Sequence, residues 1–159
     1  MALRDIILEV SNGYAVYRDG RTTDAGNPID RLISKSFPAE LMRLAPDQYT
    51  LNHVGRCGQG NVSAAPWVAS FDPRLTTSAQ DGYYPVYLFS TDLKRIYLIL
   101  ELGATQFDRH FGANNTSIER IGEGASRFRK LSEELTPPIR LNQTSIDIHS
   151  TGFDRRYRA

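Results

Sequence analysis

The stretch from Tyr83 to Leu102, "YYPVYLFSTDLKRIYLILEL", leaves a chain of this kind little choice of fold. Two runs rich in aromatic and branched residues flank the short polar turn "TDLK". Such runs favour extended backbone, and a connection this short joins two strands only as an antiparallel hairpin. Pro85 falls near the start of the first run, where a strand tolerates it. Upstream, "YTLNHVG" alternates apolar and polar residues and "APWVASF" is a short apolar run, so both read as strands. "DPRLTTSAQDG", before the hairpin, has the composition of a loop. Four strands in chain order, with short links, describe an antiparallel meander.

Helical spacing brackets this meander. Leu3, Ile6, Ile7, Val10 and Tyr14 share one helical face, after which Gly13 and Gly20 loosen the chain. Asn27-Pro28 reads as an N-cap followed by proline at the first helical position, with Ile29, Leu32 and Ile33 inward. Pro38 opens a further short helix, "AELMRL". Beyond the meander, "TSIERIGEGASRFRKLSEEL" returns to helical spacing through Ile118, Ile121, Ala125, Phe128 and Leu131, and Pro137-Pro138 ends it. "IRLNQTSIDIHS" alternates again and reads as a late strand. The expected fold class is α+β: a mostly antiparallel sheet, built as a central meander, flanked by N-terminal and C-terminal helices.

Length and charge narrow the function. The 159 residues suggest a single domain spanning 1–159. No apolar run approaches the roughly 18–20 residues that cross a membrane. "MALRDIILEV" carries an acid and a base, so it does not read as a signal peptide. Cys57 is alone, which excludes an internal disulfide and suits a reducing, cytoplasmic setting. Net charge is +1, but from Arg120 onward eight bases face five acids. That tail, "FDRRYRA" at its end, reads as leading into a longer protein.

Chemical centres are mostly excluded. His53, His110 and His149 are far apart in sequence and no Cys-x-x-Cys exists, so neither a metal site nor a cofactor is expected. Cys57, beside glycines, looks accessible but has no local base to activate it. "GRCGQGN" lacks the Gly-Lys-Ser/Thr ending of a phosphate loop and lies between strands. Asp72 with Asp92 and Lys94 can be forced into the acid, acid-x-lysine form of a metal-dependent nuclease. The turn "TDLK", however, should stand far from the end of the strand that carries Asp72. An aromatic set remains: Trp67, Tyr83, Tyr84, Tyr87, Phe89 and Tyr97. Strand alternation puts Tyr83, Tyr87 and Phe89 on one face and Tyr84, Val86 and Leu88 on the other. Core packing accounts for most of them. Trp67 and Tyr84 follow loops at strand starts, where a pocket mouth would lie.

The spacing "GQGN-x5-W", followed by "PWVASFDPRLTTSAQDGYYPVYLF", resembles the N-terminal DNA-reading domain of McrB-type methyl-specific (type IV) restriction systems, also found fused to HNH nucleases. The resemblance implies recognition of modified cytosine, 5-methylcytosine or a relative, in double-stranded DNA by base flipping, on behalf of a linked nuclease or motor. It implies that Trp67, Tyr84 and Leu88 line the pocket for the flipped base. It implies that the loop Gly58, Gln59, Gly60 and Asn61 enters the duplex, with Gln59 filling the vacancy where the familiar relative has tyrosine. Arg56, Arg74, Ser78 and Gln80 are candidate contacts to the DNA backbone, and His149 and Tyr157 are candidates to close the pocket. The chain is thereby expected to be a non-catalytic reader in the bacterial or archaeal cytoplasm, part of phage defence. The alternatives are the Asp72, Asp92, Lys94 nuclease and a reader of modified RNA.

Overall fold

A computed structural model describes residues 1–45, 50–135 and 146–148. Four strands form one antiparallel sheet in chain order: β1 (Asn52–Gln59), β2 (Asn61–Phe71), β3 (Tyr83–Phe89) and β4 (Ile96–Leu102). The expected meander is there, and its central register sets Trp67 opposite Leu88, and Val86 opposite both Ala69 and Ile99. The first hairpin is longer than expected. "GRCGQGN" is mostly paired strand: Gly58 lies opposite Val62 and Gln59 opposite Asn61, with Gly60 at the tip. Gly58 and Gly60 therefore serve a tight, twisted hairpin end rather than an open loop.

Alternation sorts the sheet into two faces, as the sequence implies. Cys57, Val68, Tyr87 and Phe89 meet the helices in one core with Tyr14 and Phe37. Ala69, Phe71, Tyr84 and Val86, and beside them Ala65 and Leu88, cluster on the opposite face. On the helical side, α1 (Leu3–Asp19) buries Ile6, Val10, Tyr14 and Tyr17. It runs straight through Gly13, against the expectation of a loosened chain there, and ends at its C-cap Gly20. The Asn27 side chain accepts the Ile29 N–H at 2.9 Å and starts α2 (Pro28–Arg31). A π-helical turn, Leu32–Ser36, links α2 to α3 (Phe37–Leu44). At that turn the helical backbone comes down onto the sheet: a Cβ on Gly55 would overlap the Ile33 carbonyl. Only glycine allows so close an approach.

Among the described residues, two helices follow the sheet. α4 (Ala104–Phe111) was not expected from the sequence, and no residue of it is buried. α5 (Asn115–Glu134) begins at Asn114, whose side chain accepts from the Thr116 N–H at 2.9 Å. Of the five residues expected inward, only Ile121 is buried, and Leu131 is exposed. Phe128 instead stacks on Tyr83 with centroids 4.6 Å apart. Among the described residues, no helix is long and apolar enough to cross a membrane. The late strand falls outside the described residues except for 146–148, which are irregular and carry Ile146 and Ile148 onto the Leu88 cluster.

Candidate nucleic-acid interface

Trp67, Tyr84 and Leu88 project from the sheet face turned away from α1–α3. Trp67 sits between Leu88 on β3 and Arg56 on β1, both directly opposite it. Its ring is half-buried and touches both clusters on this face. Leu88 is buried beside Ala65 and Ile148. Tyr84 lies deeper than a residue at a pocket mouth would. Its hydroxyl donates to the Ala79 carbonyl at 2.8 Å, and its ring meets Phe71 edge-on at 4.9 Å. The segment 72–82 is thus tied over Tyr84. Trp67, too, is not at a strand start, because β2 begins six residues earlier at Asn61.

A fault in the ladder aims Trp67. Arg56 pairs with Trp67 and Gly58 with Val62, so β2 carries extra residues between these pairs. Such a bulge bends its strand and redirects side chains. The Tyr14 hydroxyl contacts the carbonyl oxygens of Ser63, at 2.9 Å, and Cys57, at 3.2 Å, from within the helical core. Burial pushes that phenol well above the ordinary tyrosine range, so it stays a donor. Pro66, fully buried, sits where the disrupted ladder requires no N–H.

The hairpin tip is exposed and braced. Gln59, Gly60 and Asn61 face solvent, and Gly58 and Gly60 have φ of 135° and 77°. Thr22 bridges to Asn61. The Thr23 N–H and hydroxyl both donate to the Gly60 carbonyl, at 2.8 and 3.2 Å, and the Val62 N–H donates to Arg21 at 2.8 Å. Arg21 therefore stands beside the tip, exposed, with a φ of 63° unusual for a side-chain-bearing residue. Sequence reasoning missed it. The only local signal, a glycine followed by Arg-Thr-Thr, marks a turn and says nothing of the partner strand.

The candidate backbone contacts differ in what they have to offer. Arg56 is exposed on the Trp67 face. Arg74 clasps Asp72, Nη2 to Oδ2 at 2.6 Å, and this contact holds the Asp72 carboxyl down at about 2. The pair stays ionised and carries no net charge, so Arg74 brings less to a phosphate than Arg56. Ser78 Oγ accepts from the Gln80 N–H at 3.1 Å, within the same self-bonded segment. α4 grips that segment: the Gln106 side chain bonds both the N–H and the carbonyl of Gly82 at 3.3 Å, and Arg109 pairs with Asp81. His149 and Tyr157 lie outside the described residues.

The nuclease set does not converge. Asp72 follows the end of β2, beside the start of β3, whereas Asp92 and Lys94 follow its other end. A seven-residue strand separates them by about 20 Å. Asp92 accepts from Ser90 Oγ at 2.6 Å and from the Lys94 N–H at 3.2 Å, which is local turn chemistry. Among the described residues, no group of three His, Cys, Asp or Glu could hold a metal.

Cys57 is not accessible, against the expectation from its glycine neighbours. It is 3% exposed, because its side chain points into the helical core. Burial, with Asp30 nearby, pushes its thiol far above the ordinary range. Native protein at pH 8 is expected to resist iodoacetamide and to react once unfolded; fast labelling of folded protein would contradict the placement. The same shift makes stability fall as pH rises past about 8.5, because the unfolded chain ionises first.

No curated protein and no solved structure matches the chain. A family model described as "MrcB-like, N-terminal domain" matches residues 9–159. That family points to a DNA-binding role in McrB-type systems. The match spans nearly the whole sequence, and the chain belongs to the MrcB-like N-terminal domain family.

Proposed function

We propose that this domain reads a modified cytosine in duplex DNA by extruding the base onto the Trp67 face of the sheet, and so directs a linked or associated nuclease or motor. The observation that carries the reading is the common face of Trp67, Tyr84 and Leu88, with exposed Arg56 beside the indole. A duplex hides the faces of its bases, so close reading of one modification favours extrusion, at a cost of a few kcal/mol. Stacking on an indole returns about 1–3 kcal/mol. Phosphate contacts from Arg56 and Arg21 supply attachment that does not depend on sequence. The depth of Tyr84 implies that segment 72–82 shifts, or that Tyr84 offers only its edge.

The test is a binding panel of duplexes that differ only in cytosine modification, with 2-aminopurine next to the modified site to report unstacking. One modification should bind more tightly than plain duplex and raise the 2-aminopurine signal. Equal affinity across the panel would overturn the reading; tighter binding of modified RNA would move it to RNA, and cleavage with magnesium or manganese would revive catalysis.

Gln59 makes a sharper, smaller prediction. Its exposed amide at the hairpin tip can donate to and accept from the orphaned partner base. Gln59→Ala is expected to weaken modified-duplex binding by about 0.5–1.5 kcal/mol, the net worth of a hydrogen bond. Salt-dependent binding to plain duplex should hardly change. Parent-like binding to both duplexes would make the tip a mere connection.

A further inference from the structure

Arg18 lies one helical turn beyond Tyr14 on α1 and grasps the same irregular stretch of β2. Its Nη1 donates to the Ala64 carbonyl at 3.1 Å and to the Thr91 carbonyl at 2.8 Å. Ala64 belongs to the extra residues that lead into Trp67. Thr91 opens the turn between β3 and β4, and its N–H and hydroxyl both donate to the Ile148 carbonyl, at 2.8 and 2.9 Å. Ile148 in turn packs on Leu88 and Ala65. One guanidinium nitrogen, with two N–H groups to give, thus joins the two pieces that border the Trp67–Leu88 surface. Among the described residues, Arg18 has no carboxylate partner. Its charge goes into two carbonyls, and charge-assisted bonds of this kind are stronger than neutral ones.

We infer that Arg18 is a positioning residue for the base-reading surface: it fixes the β2 bulge that presents Trp67 relative to the turn that holds Ile148 over Leu88. The inference rests on the reading of this face as the place where a modified base lands. In this role the side chain acts through the Ala64 and Thr91 carbonyls and not on base or phosphate, so its loss should act on discrimination and not on general attachment.

The experiment compares the parent with Arg18→Met, which keeps an unbranched apolar stem and removes both donors. Two quantities are read: the ratio of affinities for modified and plain duplex, and the emission of Trp67, the sole tryptophan of the chain. In Arg18→Met the affinity ratio is expected to fall at least tenfold, while plain-duplex affinity and its salt dependence stay put. Trp67 emission should move to longer wavelength and become easier to quench with acrylamide. Arg18→Lys, with a point-like ammonium in place of the fork, should fall between the two. A folded Arg18→Met with the parent's ratio and emission overturns the inference; if that variant does not fold, parent-like values in Arg18→Lys do the same. Loss of plain-duplex binding with a shallower salt slope also overturns it, by making Arg18 a phosphate contact. If the parent protein shows no preference for any modified duplex, the reading of the face fails, and Trp67 emission alone decides whether Arg18 sets the indole's position.

Discussion

Trp67→Ala is expected to weaken binding to modified duplex by about 1–3 kcal/mol, roughly five- to 150-fold, the range for lost base stacking. Plain-duplex binding, driven by phosphate contacts, should change much less. The difficulty with any such variant is that aromatic residues in sheets also hold cores together, and a fully buried tryptophan lost to alanine costs about 3–5 kcal/mol of stability. Trp67 is half-buried, so its stability cost should fall below that range. Tyr84 is a poorer probe: it is 6% exposed, packed on Phe71 and bonded to Ala79, so Tyr84→Ala strikes the core first. Titrations of both duplexes, paired with thermal melts, separate the two effects. A folded Trp67→Ala that binds modified duplex as the parent does would remove the indole from the site.

What the sequence made legible was what depends on near neighbours. The hairpin from Tyr83 to Leu102 follows from two β-favouring runs and a short turn, and the shared face of Tyr84 and Leu88 follows from parity alone. The cap at Asn27 follows from one side chain and the residue two positions on. Parity could also have buried Cys57, since Arg56 faces the other way, but the glycines around it read as a loop. What stayed hidden rests on contacts across the chain. The partners of the Tyr14 hydroxyl are 43 and 49 residues away, and Thr22 meets Asn61 across a gap no local pattern records. α4 escaped although Ala104, Phe107 and Phe111 keep helical spacing, because eight residues are barely two turns of pattern and none of them is buried. Within the site, residue types pointed to stacking, but the depth of Tyr84 depends on how segment 72–82 folds over it.

Gly58→Val is expected to be the most damaging single change at the hairpin, and to act on the fold before it acts on DNA. Gly58 has a φ of 135°, a conformation that a branched side chain cannot adopt without strain. A Cβ there would overlap the Asn61 carbonyl and stand 2.9 Å from the Ser63 N–H. Both neighbours are backbone, so nothing flexible can move aside. Strained backbone alone costs about 1–3 kcal/mol, and with the overlap the loss should reach 3 kcal/mol or more. For a chain of this length that lowers Tm by about 10 °C. The damage should spread, because the tip is bonded to Arg21 and Thr23, and a displaced Asn61 gives up its bridge to Thr22. Binding to modified and plain duplex should therefore fall together, unlike the selective loss expected of Gln59→Ala one position away. Gly60→Ala is the matched control, since a Cβ on Gly60 meets nothing within 4 Å and only its φ of 77° is strained. A Gly58→Val protein that melts and binds both duplexes like the parent would mean that the glycine's freedom is not what shapes this hairpin.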